Sequence, residues 1–387
     1  MNKGKVCLNM IVKNESRIIE RCLQSVYHLI DSWCIIDTGS TDGTQEIIKE
    51  FLKDKPGELI ERPWVNFGHN RNEGLKYAEE WGEWIFLTDA DMILVDTNFD
   101  KDSLDPSYDG YDLYQDNHGV RYINTRLLNA KSSWQCVGVT HEYYTTKTGI
   151  RNLQALDNLS FIDIGDGGSK DDKFERDIRL LEEGLLKEPT NERYMFYLAQ
   201  SYRDIKNYEK AIEWYGKCAA VSKWDEEKWF SSYMIGFCKS LTKEYAQEEI
   251  IKDLFTAWMM RPSRMEPVFQ MALMYKQSNM WNNVYPLLKI AATAKYPVND
   301  VLFITSAIYE GAALDEFSVS AYYVGEYEES RVACIELLKM PYSKSFIGRI
   351  QTNLWHAEKA LGYYSEERLD KRLSEIRESI TKIKENV

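Results

Sequence analysis

Short apolar runs alternate with amphipathic segments through the first 165 residues of the chain. The runs at residues 6–12, 33–37 and 84–88 are brief and end in polar residues, which is typical of buried strands. The segments that separate these runs carry apolar residues at helical spacing, over 17–29, 43–52 and 70–81. Strands that alternate with helices predict a parallel sheet covered by helices.

Turn-forming residues and later apolar runs complete this α/β half. Thr41 or Asp42 is the predicted N-cap of the helix at 43–52, because such side chains accept hydrogen bonds from the N–H groups of a first helical turn. Further strands are predicted around residues 110–114, 122–128, 142–144 and 159–164.

From about residue 173 onward the pattern is almost entirely helical. Residues 191–221 fit a helix–turn–helix repeat with tetratricopeptide spacing, in which Ala199 and Ala211 occupy the positions where paired helices approach closely. Weaker copies follow, and one helical hairpin cannot bury its apolar face alone, so the pattern predicts a stack of hairpins. The charged segment 366–387 is predicted to be a further helix that caps the stack or frays.

A glycine-rich stretch at residues 165–169 separates the two halves. We interpret it as a linker, which sets a predicted α/β domain at 1–168 and a helical-repeat domain at 169–387. The alternative, a phosphate-binding glycine loop, lacks the Lys-Ser/Thr pair that follows such loops.

Composition excludes several classes of partner. The chain has 387 residues, a net charge of −13, 44% hydrophobic and 28% charged residues, and no basic run. Nucleic-acid binding needs a local excess of Lys and Arg, so it is not expected. No apolar stretch reaches the length of a membrane span.

The cysteines indicate the compartment. There are seven, an odd number, and they are scattered without a Cys-x-x-Cys pair. This pattern favours free thiols in a reducing environment over disulfides or a zinc site. With no signal-peptide pattern at the N-terminus, a cytoplasmic location is expected.

Polar clusters follow the predicted strands. Asp89 and Asp91 come directly after the strand at 84–88, and strand alternation points both carboxylates the same way. Loops that follow parallel strands meet at one edge of the sheet, so residues 13–15 and 37–44 are expected beside them. Two carboxylates at such an edge suit a divalent cation that bridges a nucleotide diphosphate, although the loop at 37–44 by itself is equally consistent with an ordinary turn.

The motifs at 10–15 (MIVKNE), 37–44 (DTGSTDGT), 70–75 (NRNEGL) and 89–91 (DAD) resemble, in this order and spacing, family 2 glycosyltransferases of the GT-A fold. The segment 134–142 (WQCVGVTHE) resembles the Trp…Gly-x-Val-His-Glu segment of the subgroup with a C-terminal tetratricopeptide domain. The resemblance covers residues 5–220 well and the remainder loosely. It implies a GT-A, Rossmann-like domain that transfers a sugar from a nucleotide-sugar donor.

The resemblance also implies roles for individual residues. The implied nucleotide-sugar site consists of Ile11, Val12, Asn14, Glu15, Asp37, Ser40, Asp42, Arg71, Asp89, Lys173 and Arg176. Asp37 would hydrogen-bond the base, most often uracil. Asp91, with Asp89, would bind Mn²⁺ or Mg²⁺, which stabilises the departing nucleotide diphosphate. Lys173 and Arg176 are equally consistent with a solvated helix face.

An inverting transfer needs a base for the acceptor hydroxyl, and the His-Glu pair supplies the candidates. Glu142 is the expected base, and His141 is the alternative base, a metal ligand or a contact of the leaving group. Two positions depart from the family pattern. Asp163 stands where the subgroup has a histidine, and it is expected to complete the metal site. Met92 replaces the usual acidic residue after the Asp-x-Asp, which is expected to alter the sugar pocket.

The sequence thus predicts a metal-dependent, inverting glycosyltransferase that uses a UDP-sugar. The acceptor would be a protein, a glycan or a lipid-linked sugar, held in part by the repeat domain, which could also bind a peptide or protein partner. The alternative is a tetratricopeptide adaptor with a catalytically silent nucleotide-fold head. A nucleotidyltransferase would need a basic triphosphate loop, which the sequence does not show.

Overall fold

The computed structural model describes residues 4–117, 120–167 and 173–363. The chain divides into two compact units, of which the first ends at Pro189 and the second begins at Thr190. The helix at Lys173–Lys187 is therefore part of the first unit. The predicted functional boundary at residue 168 stays a prediction, and the segment 366–387 lies outside the described residues.

Strands and helices alternate through the first unit. Its strands are β1 (Gly4–Val12), β2 (Ser32–Asp37), β3 (Gly57–Glu61), β4 (Gly82–Leu87), β5 (Met92–Asp96), β6 (Gly110–Asn117), β7 (Val120–Asn129), β8 (Trp134–Val137), β9 (Tyr143–Thr146) and β10 (Leu153–Asp163). Its helices are α1 (Ile19–Val26), α2 (Thr44–Phe51), α3 (Phe67–Trp81) and α4 (Lys173–Lys187). Within the described residues, the strands form an eight-stranded sheet in the order β3-β2-β1-β4-β7-β6-β10-β5, and β8 pairs with β9 alone.

The predicted parallel sheet is confirmed for one half of this sheet and wrong for the other. Strands β3, β2, β1 and β4 are all parallel, as expected for strands joined through helices. Beyond β4 the sheet is mixed, because β6 and β7 follow each other with no helix between them and pair antiparallel. Strand β5 closes the far edge antiparallel to β10. The sequence prediction missed β3 and β5, which are only five residues each.

Two helix starts differ from the prediction. The N-cap of α2 is Gly43, at a left-handed φ of 91°, and not Thr41 or Asp42. Asp42 still contributes, because its Oδ1 accepts a hydrogen bond of 3.2 Å from the Thr44 amide. Helix α3 begins at Phe67, three residues before the predicted start, since the Asn66 side chain caps it by accepting from the His69 amide at 2.8 Å.

Apolar cores cover both faces of the parallel strands. On one face, Leu8 of β1 and Phe86 of β4 pack with residues of α1 and α2 such as Leu23. On the other face, Cys7 of β1 packs with residues of α3 such as Leu75. A strand that is buried on both sides has no polar face, which explains why the runs predicted as strands are continuously apolar.

The second unit is a succession of helices, each packed against the next. They are α5 (Glu192–Asp204), α6 (Tyr208–Val221), α7 (Asp225–Ser240), α8 (Gln247–Met260), α9 (Glu266–Gln277), α10 (Trp281–Thr293), α11 (Ala313–Tyr323), α12 (Tyr327–Lys339) and α13 (Ser343–Ala360). The predicted stack of hairpins is confirmed, and Ala199 and Ala211 are both fully buried where α5 meets α6. Over the described residues, none of the helices combines the length and apolar character needed to cross a bilayer.

Two helical glycines of this unit give a matched test of its packing. A Cβ added at Gly236 of α7 would lie 2.9 Å from Cγ and 3.1 Å from the backbone nitrogen of Leu254, whereas one added at Gly216 of α6 would meet no atom within 4 Å. We expect Gly236→Ala to lower the free energy of unfolding by roughly 1–3 kcal/mol through overpacking. Gly216→Ala should raise it by roughly 0.5–1 kcal/mol, because alanine favours helix. Urea unfolding followed by circular dichroism measures both, and a stabilised Gly236→Ala variant would contradict the close approach of α7 and α8.

Candidate functional site

A cleft of about 460 Å³ opens at the carboxyl ends of the parallel strands. Of the residues predicted from the sequence, those that line it are Ile11, Val12, Asn14, Glu15, Arg71, Asp89, Asp91, Lys173 and Arg176. The lining also includes residues that sequence reasoning missed, namely Trp64, Phe67 and Arg179. Asp37, Ser40, Asp42, Asp163, Glu142 and His141 do not line it. The structure thus brings most of the predicted nucleotide-sugar residues to one cleft.

The loops after β1 and β2 are tied together by side chains that the sequence had placed in the site. The Asn14 amide donates to Ser40 Oγ at 2.9 Å, and Asn14 Oδ1 accepts from the Thr41 amide at 2.8 Å. The Ser16 amide donates to Asp42 Oδ2 at 3.0 Å. Partial burial opposes ionisation of Asp42, but hydrogen bonds from Thr44 and Ser16 outweigh it and lower the pKa of Asp42 to about 2. Ser40 and Asp42 therefore hold the β1 loop in place beside the cleft.

Asp37 has one carboxylate oxygen engaged and one unsatisfied. Its side chain is fully buried at the end of β2, and Oδ1 accepts hydrogen bonds of 2.9 Å from the Gly39 and Ser40 amides and from Gln45 Nε2. Burial alone would raise the pKa of Asp37, but these hydrogen bonds lower it below the usual range. In the described part of the chain, Oδ2 is buried without a hydrogen-bond partner. Such an oxygen is unusual, because buried polar atoms in folded proteins normally have a hydrogen-bond partner.

The sequence Asn70-Arg71-Asn72 at the start of α3 performs three separate tasks. Asn70 is fully buried and hydrogen-bonds the backbone at residues 63 and 65. Asn72 accepts from the Cys136 amide at 2.8 Å and donates to the Cys136 carbonyl at 2.7 Å, which joins β8 to α3. Because both neighbours are anchored, the Arg71 side chain between them is held in a fixed direction toward the site.

Arg71 connects the two carboxylates expected to matter most. Its Nε donates to Glu142 Oε1 at 2.7 Å, and its Nη2 donates to Asp89 Oδ1 at 2.8 Å. The second oxygen of Asp89 accepts from Arg126 Nη1 at 3.2 Å. Burial would raise the pKa of Asp89, but Arg71 and Arg126 hold it far below its usual range, so Asp89 is ionised. Both Asp89 oxygens are thereby engaged by arginines.

Arg126 is the main residue of this cluster that the sequence reasoning missed. It lies on β7, within the strand predicted at 122–128 and just before two fully buried leucines. A charged residue in such an apolar strand was the sequence signal that could have identified it. Its Nη2 donates to Gln115 Oε1 at 3.3 Å, and buried Gln115 donates in turn to Met92 Sδ at 3.5 Å. Met92 is 5% exposed and lines no pocket at the site, so it packs in the core instead of shaping a sugar pocket as expected.

The predicted metal ligands are not assembled as a cluster. Asp163 Oδ2 accepts from Asn117 Nδ2 at 2.8 Å, and Asp89 is occupied by its two arginines. Among the described residues, no three His, Cys, Asp or Glu side chains are grouped so that they could hold a metal ion. Asp91 does face the cleft: a Cβ added at Gly167 would lie 3.2 Å from Asp91 Oδ2 and 3.6 Å from Glu15 Oε1.

A second pocket of about 190 Å³ adjoins the cleft. It is lined by Arg71, Asp89, Asn124, Thr125, Arg126, Glu142, Tyr143, Tyr144 and Arg151. The two pockets share Arg71 and Asp89, whereas Glu142 lines only the second one. Arg71 therefore lies between the cleft and the smaller pocket. The cleft has four further cations, Lys13, Lys173, Arg176 and Arg179, and the smaller pocket contains Glu142.

His141 lies apart from both pockets. Its backbone is left-handed, with φ of 50°, and its Nε2 lies 3.7 Å from Asp177 Oδ2 on α4. Asp177 is 2% exposed and accepts from Thr140 Oγ1 at 3.1 Å, and burial raises its pKa. A strained non-glycine residue must be held by its surroundings. The hydrogen bond from Thr140 to Asp177 accordingly fixes the segment that presents Glu142, whereas His141 Nε2 is too far from Asp177 for a hydrogen bond.

Comparison with known proteins agrees with this geometry. Residues 7–165 match the model of glycosyl transferase family 2. The chain is 28% identical over 254 residues to the SPbeta prophage-derived glycosyltransferase SunS of Bacillus subtilis, an alignment that covers 61% of this chain and 58% of that protein. The same values hold for glycosyltransferase SunS of Bacillus phage SPbeta. The chain therefore spans less than two thirds of the length of these relatives.

Similarity to repeat proteins is also found. A TPR repeat-containing protein of Synechococcus elongatus is 36% identical over 93 residues, which is 24% of this chain and 22% of that protein. The crystal structure of MamA protein has a TM-score of 0.34 at 18% identity and covers 45% of this chain and 85% of that chain. TPR-like repeats of a Podospora kinesin light chain give a TM-score of 0.37 at 16% identity, over 51% of this chain and 98% of that one.

The charge pairing of Asp89 predicts a pH-dependent stability difference. Asp89→Asn should lower the free energy of unfolding by roughly 2–3 kcal/mol at pH 7, because it leaves Arg71 and Arg126 without their anion. The pKa of Asp89 is depressed in the folded chain, so this stabilisation is present above the ordinary carboxyl range near pH ~4 and declines as the pH falls below it. Urea unfolding from pH 7 to pH 3 measures the difference.

The control for this experiment is Asp102→Asn, which alters an exposed carboxylate. It should change the free energy of unfolding by less than ~0.5 kcal/mol at every pH. The free energies of unfolding of Asp89→Asn and the unchanged protein should differ less at pH 3 than at pH 7. An equal difference at both pH values would show that Asp89 is not an ionised partner of the two arginines.

Proposed function

We propose that this chain transfers a sugar from a nucleotide-sugar bound in the cleft to an acceptor hydroxyl in the adjoining pocket. The observation that carries the proposal is the position of Arg71, which is hydrogen-bonded to Asp89 and Glu142 where the two pockets meet. The family 2 match and the relative named as a glycosyltransferase support the same class of reaction. The acceptor is a protein, a glycan or a lipid-linked sugar.

The donor in this proposal is a UDP-sugar. The choice of uracil rests on the resemblance to family 2 glycosyltransferases, because Asp37 is fully buried and does not line the cleft. Trp64 and Phe67 supply an apolar wall, and their rings pack edge to face at 4.8 Å. Lys173, Arg176 and Arg179 of α4 supply positive charge to the same cleft, which suits a diphosphate.

A divalent cation, Mn²⁺ or Mg²⁺, fits this cleft through Asp91 and not through three aspartates. Such ions are held by one or two carboxylates together with substrate phosphates, so a site with few protein ligands is adequate once the donor is bound. When bound, the cation would offset negative charge on the departing diphosphate. Asp89 would serve instead to hold Arg71 and Arg126 in place.

Glu142 is the proposed base. As the acceptor oxygen forms its bond to the anomeric carbon, the bond from that carbon to the phosphate oxygen breaks, and the acceptor proton passes to the Glu142 carboxylate. The cations of α4 and the Glu142 carboxylate lie in different pockets, so leaving group and base would be on opposite sides of the sugar. A direct displacement with this arrangement inverts the anomeric centre. His141, the alternative base, lines neither pocket.

The helical unit is proposed to bind part of the acceptor or a protein partner. Its stacked hairpins provide an extended surface of the kind that repeat proteins use for recognition. This role explains why a domain of family 2 type is joined to a long helical segment.

Glu142→Gln separates donor binding from transfer. The variant should bind UDP as the unchanged protein does and lose roughly 10²–10⁴-fold in transfer rate, because the amide cannot accept the acceptor proton. Isothermal titration with UDP and turnover with a panel of UDP-sugars provide the two readouts. His141→Gln is the matched control, and it should retain the greater part of its turnover. If the His141 variant is the inactive one, the base assignment is wrong.

Metal dependence is tested by UDP titration. With UDP at 100 times its dissociation constant, binding should stabilise the fold by about 2.7 kcal/mol and raise the midpoint of thermal unfolding, more so with Mn²⁺ present. Asp91→Ala should remove the Mn²⁺-dependent part only. A chain that shows no UDP-dependent shift under either condition would instead be a silent scaffold, and one that shows the same shift without Mn²⁺ would use no metal.

A further inference from the structure

A third pocket lies within the helical unit, between α11, α12 and α13, and has a volume of about 260 Å³. Its polar lining consists of Ser318, Tyr322, Ser330, Thr352, Asn353 and His356. None of these residues is part of the first unit, and neither the family match nor the proposed transfer reaction gives them a role.

Two atoms of this lining are buried and unsatisfied. Ser330 is 1% exposed, and its Oγ has no hydrogen-bond partner among the described residues. Asn353 Nδ2 is likewise buried and, over the same described ranges, without a partner. A buried polar group without a hydrogen bond costs roughly 1–3 kcal/mol, so such atoms are normally satisfied by water or by a ligand. Both atoms belong to residues that line one pocket, which points to a polar occupant.

The remaining polar groups can also serve a hydroxylated ligand. Ser318 Oγ donates to the Asp315 carbonyl at 2.7 Å and Thr352 Oγ1 donates to the Gly348 carbonyl at 2.8 Å. Ser318 is fully buried and also hydrogen-bonds Cys334, whereas the oxygen of Thr352, whose proton is used within its own helix, can still accept a hydrogen bond. With the amide of Asn353, the pocket therefore offers both donors and acceptors, as a ligand with several hydroxyl groups requires.

The lack of charged side chains in the lining argues against ionic ligands. Within the described residues, the lining contains no Lys, Arg, Asp or Glu side chain. Burial and the nearby Lys359 lower the pKa of His356 below its usual range, so the imidazole is neutral at pH 7. A phosphate, carboxylate or ammonium group would enter without a counter-charge, and burying an uncompensated charge is strongly unfavourable.

The size of the pocket and its aromatic residues narrow the class of ligand further. The pocket has room for roughly nine water molecules at ~30 Å³ each, which matches one six-membered sugar ring and not an oligosaccharide. Tyr322 lines it with its ring 6.0 Å from that of His356, and Tyr323 lines it with its ring stacked at 4.0 Å on Trp281. Aromatic groups with a polar end suit ligands that are apolar on one side and hydroxylated on the other.

We propose that this pocket binds one uncharged sugar ring or an equally small neutral polyol. It is a second carbohydrate site, separate from the cleft and pocket of the first unit. Its existence does not require the proposed transfer reaction, because every group that forms it belongs to the helical unit.

The test is saturation-transfer NMR on the full-length chain with a panel of neutral sugars, namely glucose, galactose, mannose and N-acetylglucosamine. Glucuronate and glucosamine serve as charged analogues. We expect at least one neutral sugar to bind with a dissociation constant in the millimolar range, and its charged analogue to bind at least tenfold more weakly. Binding should be unchanged in Asp91→Ala, which alters the cleft of the first unit.

Variants of the lining residues test whether the sugar binds in this pocket. Asn353→Leu and Ser330→Ala should each weaken binding, the former at least tenfold, because each removes an unsatisfied polar group of a residue that lines the pocket. Neither variant should lower the midpoint of thermal unfolding, since the deleted groups have no partner among the described residues. Gln351→Leu is the matched control, because Gln351 lies on the same helix and does not line the pocket. It should bind as the unchanged protein does.

Four results would overturn the proposal. One is that no neutral sugar receives saturation from the protein at 50-fold excess or more. Another is that a bound sugar keeps its affinity in both Asn353→Leu and Ser330→Ala. The third is that the charged analogues bind as tightly as the neutral sugars. A loss of binding in Asp91→Ala alone would place the sugar in the first unit and would likewise reject the third pocket.

Discussion

The ion pairs of Arg71 are the constraint on which the rest of the site depends. One guanidinium meets Asp89 and Glu142 at 2.8 and 2.7 Å, and only 11% of its side chain is exposed. A charge buried to this degree is stable only with well-placed partners, so the strand that ends before Asp89, the start of α3 and the segment before β9 must all keep their positions. The site is rigid because three separate parts of the chain converge on one cation.

Much of this arrangement could be predicted from the sequence. The α/β order, the helical repeats and the convergence of Asn14, Arg71 and Asp91 on one cleft follow from periodicity and from the rule that loops after parallel strands share an edge. Family motifs identified Glu142 as well. Local patterns suffice here because each of these residues directly follows a strand or begins a helix.

The features of the site that could not be predicted depend on contacts between segments that are distant in the sequence, and no local pattern encodes such contacts. Arg126 reaches Asp89 only because β7 inserts antiparallel beside β4, and the sequence had indicated a parallel sheet. Together with Arg71, this pairing engages both oxygens of Asp89, which motif spacing does not reveal. Ser40 and Asp42 match the family motif, yet their side chains hold the β1 loop by its backbone amides.

The independence of the β8–β9 hairpin has an evolutionary consequence. Within the described part of the chain these strands pair with each other and lie outside the eight-stranded sheet, while Tyr143, Tyr144 and Arg151 from this region line the smaller pocket. The turn between β9 and β10 carries Arg151, which lines the smaller pocket but not the cleft. Substitutions or insertions in this turn can therefore reshape the smaller pocket while the residues of the cleft stay unchanged, and directed evolution of the proposed acceptor choice would begin there.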